Sequence, residues 1–356
     1  MDDLQELMQS AAHDPGRRRF LQHTAAFAAG TALAAAARGA DTTQADSAGT
    51  GTIPRKPLGR TGLQVSAMGL GGFSLADAPT LDEAKQIVRE AIDAGVNFFD
   101  NAWEYHDGKS EEWMGECLQG LRDEVILMTK VCTHGRDKGV AMEQLNQSLK
   151  RLKTDHLDLW QVHECVYFND PERHFAKGGV IEALDEAKKA GKVRFVGFTG
   201  HKDPDIHLKM LSYNYPFDSV QMPLNCFDYS FRSFEKRVLP EVNRRGMAAL
   251  GMKSMLGGGQ AVIDMPMTPE EMLSYAMSLP VAVTISGVDS LAVLHQNLAV
   301  ARGFKPLSSD QMDELRQRAS LAAGDGHLEL YKSSKKFDAA VGRQQHNYPP
   351  QAQLPL

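Results

Sequence analysis

An α/β fold built from eight strand–helix units is the class that this sequence predicts, and three observations predict it. Short apolar runs of strand length recur near residues 66–70, 96–100, 125–130, 157–163, 193–199, 218–222, 247–252 and 281–286. Segments with helical spacing lie between them. Residues 80–94 carry Leu81, Ala84, Ile87, Val88, Ala91 and Ile92, residues 140–152 carry Leu145, Leu149 and Leu152, and residues 180–190 end in Lys188-Lys189-Ala190-Gly191, a basic last turn before a stop glycine. The third observation excludes the competitor. A doubly wound sheet carries a Gly-rich fingerprint after its first strand, and Gly69-Leu70-Gly71-Gly72-Phe73 lacks the G-x-G-x-x-G spacing. Eight units within about 250 residues fit a (β/α)8 TIM barrel.

Taken in order, residues 1–40 do not read as part of that barrel. Arg17-Arg18-Arg19-Phe20-Leu21 precedes an Ala-rich run through Ala37, with Ala35-Ala36-Ala37 as an A-x-A cleavage site. The paired arginines followed by Phe-Leu resemble a twin-arginine (Tat) export signal, with Gly16 where Ser or Thr is usual. The resemblance implies passage through the Tat machinery to the periplasm or another exported location. The run is too weakly apolar for a membrane span, so no stable insertion of the mature protein is expected. Residues 41–54 read as a polar linker. Two extended pieces around Arg60-Thr61-Gly62 then form a hairpin signal. The barrel is expected over residues 55–304. A helix over 308–322 and a polar tail holding Tyr331, Phe337 and Tyr348 complete a C-terminal segment, 305–356.

Composition narrows the function. The chain has 356 residues, 42% of them hydrophobic, and a formal charge of −6, enough for one large core and without a basic patch for nucleic acid. Cys117, Cys132, Cys165 and Cys226 form no C-x-x-C pair. They read as buried apolar residues rather than metal ligands or a disulfide framework.

The chemistry sits at strand ends. Phe98-Phe99 runs into Asp100, with Tyr105 five positions later; residues 125–129 run into Lys130; Leu157-Asp158-Leu159-Trp160-Gln161-Val162 runs into His163. If these strands are adjacent and parallel, about 4.8 Å apart, an acid, a phenol, an ammonium and an imidazole meet at the barrel's catalytic end. Singly, each has a plainer reading: a rim ion pair, a satisfied histidine, a tyrosine lid. Together they resemble the tetrad of the aldo-keto reductase family. Gly95-Val96-Asn97-Phe98-Phe99-Asp100-Asn101-Ala102, Gly108-Lys109-Ser110-Glu111-Glu112 and Gly191-Lys192-Val193-Arg194 resemble that family's signatures. The resemblance spans residues 55–304. It implies an NAD(P)-dependent oxidoreductase that moves hydride between nicotinamide and a small-molecule carbonyl or alcohol. Tyr105 would be the general acid or base, its pKa lowered by Lys130, with Asp100 holding Lys130 and His163 orienting the substrate oxygen.

The resemblance also implies cofactor contacts, at Gly72 and Phe73 after the first barrel strand, Thr199 and Gly200 after the fifth, and Gln221 at the end of the sixth. Met252 stands in place of a stacking aromatic, and Lys253 and the glycines that follow suit a pyrophosphate. Ser286, Gly287, Gln296 and Asn297 complete the set toward adenine. Gly200 replaces an Asn that would hold the nicotinamide amide, with His201 a substitute. Where NADP-preferring members carry basic residues, this chain has Gly287, Asp289 and Val293, so both NADP(H) and NAD(H) remain open. Export of a folded protein implies a cofactor held tightly. The alternative function is a sensor or scaffold that binds the dinucleotide with little turnover, which the changes at Gly200 and Met252 favour. A metal-dependent hydrolase would need more strand-end ligands than His163 and His201.

Overall fold

The computed structural model describes residues 51–132, 136–257, 267–334, 349–350 and 353. The signal-like segment 1–40 and most of the expected linker lie outside these residues, as do Gly258, Gly259, Phe337 and Tyr348. Ten strands follow in order: β1 Arg55–Pro57, β2 Gln64–Ser66, β3 Met68–Gly71, β4 Phe98–Asp100, β5 Ile126–Val131, β6 Leu157–Val162, β7 Val193–Thr199, β8 Ser219–Pro223, β9 Ala248–Met252 and β10 Val283–Gly287. Strands β3 to β10 are parallel and close on themselves, β10 pairing with both β9 and β3. This is the expected (β/α)8 barrel.

The alternation of side chains along each strand builds two separate cores. Phe98, Met128, Leu159, Leu250 and Val283 point inward and form one cluster with Leu58 and Val65 from the β1–β2 hairpin. The hairpin therefore plugs the barrel, and its apolar side chains explain why it is there. Phe99, Leu127, Trp160, Val196, Phe198 and Val220 point outward and pack beneath the helices. Each fully buried side chain of this size contributes about 1.5–3 kcal/mol. The same period of two carries the chemistry. Two residues above inward Phe98 lies Asp100, two above Met128 lies Lys130, and His163 continues the inward series of Leu159 and Gln161.

The helices follow sequence logic. Helix α1, Leu81–Asp93, starts where the Thr80 side chain accepts from the Glu83 backbone N–H, 3.1 Å away, and carries Asp82 and Glu83 in its first turn. It buries Ala84, Ile87, Val88 and Ala91. It stops at Gly95, whose φ of 97° is open to glycine at little cost. Helix α2, Lys109–Cys117, and helix α3, Lys138–Arg151, flank β5 in sequence. Helix α4, Leu291–Ala301, follows β10, and helix α5, Ser309–Ala323, is the expected C-terminal helix with a capping box at Ser308. Packed structure begins before the hairpin: Ile53 is buried and the Pro54 carbonyl accepts from Ala67 N–H. Among the described residues no helix is long and apolar enough to cross a membrane.

Candidate active site

Inward positions at the C-terminal ends of the strands open into a cleft of about 330 Å³. Asp100, Tyr105 and His163 line it, and Lys130 lies buried behind them at 1% exposure. The Lys130 ammonium donates to Asp100 Oδ1 at 2.5 Å, to the Asn101 carbonyl at 2.7 Å and to the Tyr105 hydroxyl at 3.4 Å. Gln221 Nε2 donates to the other Asp100 oxygen at 3.3 Å. All four groups of the expected tetrad thus meet at one end of the cleft.

One expected property is reversed. Burial of the Tyr105 hydroxyl, followed by the carboxylates of Asp100, Glu104 and Glu164, pushes the phenol well above its ordinary value. The Lys130 ammonium, 3.4 Å from the hydroxyl, does not outweigh burial and these three carboxylates. Tyr105 therefore keeps its proton through the neutral range.

The loop that presents Tyr105 is braced from outside. Asn101 Nδ2 donates to the Ser110 carbonyl at 3.0 Å, and Arg151 donates to the Trp103 carbonyl at 2.9 Å and to Glu111 at 3.2 Å. Glu111 also accepts from Thr129 at 2.6 Å. The Gly108-Lys109-Ser110-Glu111-Glu112 motif is thus a bracket between α2, β5 and α3, holding the loop from behind the cleft. Trp103 belongs to the same bracket, its indole N–H donating to Gln147 at 2.8 Å. Phe227 is fully buried. Phe73 lines the cleft, its ring edge-on to Tyr105 at 5.2 Å.

The expected cofactor contacts divide into two groups. Phe73, Gln221, Met252, Lys253, Ser286, Gly287, Gln296 and Asn297 line the cleft. Gly72, Thr199 and Gly200 do not. A Cβ at Gly72 would lie 2.7 Å from the Asp100 carbonyl and from Asn101 Nδ2, so this glycine lets the turn after β3 close on β4. A Cβ at Gly200 would meet the Cys165 carbonyl at 2.4 Å and His207 at 2.8 Å. No side chain fits there, which is the physical reason an amide is missing. His201 lines the cleft instead, but its Nδ1 faces the Tyr331 carbonyl at 2.9 Å and its Nε2 lies 3.5 Å from Glu164. Burial lowers the His201 pKa from its ordinary value. Gln221 is 1% exposed, and its Oε1 has no hydrogen-bond partner among the described residues. A buried acceptor of this kind calls for a donor from a ligand.

Lys253 has a left-handed backbone, φ 55°, as does Glu164, φ 52°. The Lys253 ammonium lies 5.4 Å from the Tyr331 ring centre. Burial lowers its pKa to about 8, opposed by Glu164 and assisted by Lys130. Asp289 and Val293 line the other end beside Gln296 and Asn297, and Asn297 Nδ2 donates to Ser286 Oγ at 3.1 Å. No arginine lines the cleft among the described residues.

Two cleft groups were missed from sequence. Glu104 touches Nδ1 of His163. Glu164 lines the wall beside it. Both are charged neighbours of tetrad residues in the chain, a signal that adjacency to Tyr105 and His163 could have supplied. The third surprise is the C-terminal segment. Residues Leu330–Ser333 form a turn of helix with Tyr331 and Lys332 buried. Lys332 Nζ is fully buried between Asp228 at 2.6 Å and Glu329 at 2.7 Å, and donates to the Phe231 carbonyl at 2.7 Å. The Tyr331 hydroxyl accepts from Asn225 at 2.9 Å and donates to Glu329 at 2.8 Å.

Residues 67–262, just over half of the chain, match the aldo/keto reductase family model. The uncharacterised oxidoreductase YqkF of Bacillus subtilis is 28% identical over 305 residues, 74% of this chain and 95% of its own length. A 6-dehydroglucose reductase of Novosphingobium aromaticivorans is 28% identical over 291 residues, 77% of this chain and 90% of its own. L-galactose dehydrogenase of Arabidopsis thaliana is 34% identical over 158 residues, 42% of this chain and 49% of its own. Among solved structures, the holo form of aldo-keto reductase AKR11C1 from Bacillus halodurans superposes with a TM-score of 0.64 at 23% identity, covering 76% of this chain and 97% of that one. An aldo/keto reductase from Klebsiella pneumoniae in complex with NADP and acetate gives 0.62 at 21% identity, covering 74% and 95%. With the family model over most of the barrel and the same fold in these structures, the chain belongs to the aldo/keto reductase family.

Proposed function

We propose that this protein is an NAD(P)-dependent oxidoreductase interconverting a carbonyl compound and its alcohol, with Tyr105 as the proton-transferring group. The observation that carries the reading is the convergence of Tyr105, the Asp100–Lys130 pair and His163 on one cleft. The dinucleotide, when bound, supplies or accepts the hydride. Gln221 Oε1 suits the N–H of a carboxamide, Met252 offers a thioether face, and Ser286, Gly287, Gln296 and Asn297 line the far end. Asp289 at that end favours NAD(H) over a dinucleotide carrying a further phosphate.

The chain's own residues account for the proton. Tyr105 arrives protonated, because its surroundings raise its pKa, and gives that proton to the oxygen on which charge develops. Lys130, fixed by Asp100 and Asn101, then faces the phenolate that remains. His163 holds the substrate oxygen in place.

The polar wall formed by Glu164, His201 and Lys253 supports a hydroxylated substrate, whose hydroxyls such a wall can meet with hydrogen bonds. Two relatives named for polyhydroxylated compounds, L-galactose dehydrogenase and 6-dehydroglucose reductase, support the same class. The segment 1–40 supports export through the Tat route with the dinucleotide already in place; Arg17→Lys with Arg18→Lys and Arg19→Lys should retain the protein in the cytoplasm on fractionation.

The test is mass identification of any dinucleotide released from the purified protein, followed by turnover with a panel of hydroxylated and plain aldehydes. Binding with turnover is expected. Binding with no turnover across the panel would favour a sensor, and no binding of either dinucleotide would sink the reading.

A further inference from the structure

We propose that Glu104 is a positioning residue that acts through His163, fixing which ring nitrogen carries the hydrogen toward the protein and which faces the substrate. The inference deepens the reading above, since it assumes that a substrate oxygen meets His163.

The geometry is specific. Glu104 Oε1 is in hydrogen-bond contact with Nδ1 of His163. The two side chains are 16% and 9% exposed, so the contact is largely withdrawn from water. Glu104 comes from the loop after β4, one position before Tyr105, and His163 follows β6. The contact therefore ties the residue that carries the proton to the residue that orients the substrate. The Tyr105 and His163 rings lie edge-on, 5.6 Å apart.

An ionised carboxylate only accepts hydrogen bonds. The hydrogen in this contact is then on Nδ1, and Nε2 is left to the cleft that His163 lines. A ring with one hydrogen, held at Nδ1, presents a lone pair at Nε2; a ring with two donates from both nitrogens. The contact therefore selects the nitrogen that holds its hydrogen against the carboxylate and the nitrogen that meets a substrate oxygen. The other titratable groups around the cleft are Asp100 with its partner Lys130, Tyr105, Glu164, His201, Lys253 and Asp289. Glu104 Oε2 is buried and makes no hydrogen bond among the described residues, and Glu104 is one of the carboxylates that, after burial and Asp100, raise the Tyr105 pKa. Glu104 thus bears on both Tyr105 and His163.

The experiment reads the ring directly. Imidazole nitrogen spectra of the full chain are recorded without dinucleotide or substrate, with His163 assigned by the signal lost in His163→Asn. The wild type should show hydrogen held on Nδ1, and Glu104→Gln, whose amide can donate or accept, should show that preference lost. Glu104→Asp, which withdraws the carboxylate by one methylene, should weaken it, and serves if the Gln variant does not fold. An unchanged His163 signature in these variants overturns the proposal. Kinetics supply the second readout. Glu104→Gln should lower kcat/KM for carbonyl reduction roughly 10–100-fold, and the same change in a His163→Asn background should have no further effect. Equal losses in both backgrounds would mean that Glu104 does not act through His163. Because the spectra need no turnover, a failure of the reductase reading and a failure of this assignment are separable.

Discussion

The two sides of the barrel mouth are assembled by different means. On the side of β4 to β6, each reactive group sits at or just past the end of its own strand, and its partners come from neighbouring strands and loops: Asp100 to Lys130, Lys130 to Tyr105, Glu104 to His163. On the side of β7 to β9, the wall is completed by a segment from far along the chain. His201 meets the Tyr331 carbonyl across 130 residues of sequence, and Lys332 meets Asp228 across 104. The first side is a local construction on a rigid sheet. The second depends on a long-range clamp whose ions are removed from water. The difference separates the tetrad, held by its own strands and loops, from His201, whose setting depends on the clamp.

The sharpest way to break this comparison is Tyr105→Phe. It should lower turnover by roughly 10²–10⁴-fold while leaving dinucleotide affinity and thermal stability near wild type, as read by steady-state kinetics, calorimetry and melting. Lys332→Met should do the opposite. It leaves Asp228 and Glu329 buried without their cation, at a cost of about 3–5 kcal/mol, visible in denaturant titration and in faster proteolysis near residue 330. If Lys332→Met instead matched Tyr105→Phe in turnover and left stability alone, the division between the two sides would be wrong. Lys253→Arg sharpens it in pH. The ammonium is charged below its pKa of about 8 and neutral above it, so kcat/KM for a hydroxylated carbonyl should fall above pH 8, by about tenfold per unit at the limit. The arginine variant stays charged and should lose that fall. Trp103→Phe is the mildest. It removes one hydrogen bond to Gln147 from the outer bracket, about 1 kcal/mol of stability, and should change turnover less than twofold by steady-state assay.

What could be read from the sequence divides along the same line. Strand alternation and the spacing from Asp100 to Tyr105, Lys130 and His163 are local, and they predicted both the barrel and the convergence of these groups. The eight expected strands overlap the observed ones, the largest difference in a boundary being about two residues at β3, β4 and β10. The Gly200 position was legible as a departure but not in its cause, because the Cys165 carbonyl that forbids a side chain comes from another loop. The direction of the Tyr105 shift was misread for a similar reason. Proximity of Lys130 in the fold could be expected, but the burial of the hydroxyl and the nearness of Asp100, Glu104 and Glu164 depend on distances that spacing does not contain. The tail was the least legible part. Tyr331 and Lys332 sit in a polar stretch, and only the tertiary fold brings Asn225 and Asp228 to them.

The clamp also sets an order on synthesis. A ribosome makes β1 to β10 before it reaches residue 329, so an emerging barrel carries Asp228, Asn225 and His201 without the groups that later satisfy them. Until this segment has left the exit tunnel, with Ser334 accepting from Lys202, the His201 ring of the cleft lacks the Tyr331 carbonyl behind it. Maturation of the ligand pocket is in this sense a late, post-barrel event, timed by translation of the last part of the clamp rather than by closure of the sheet.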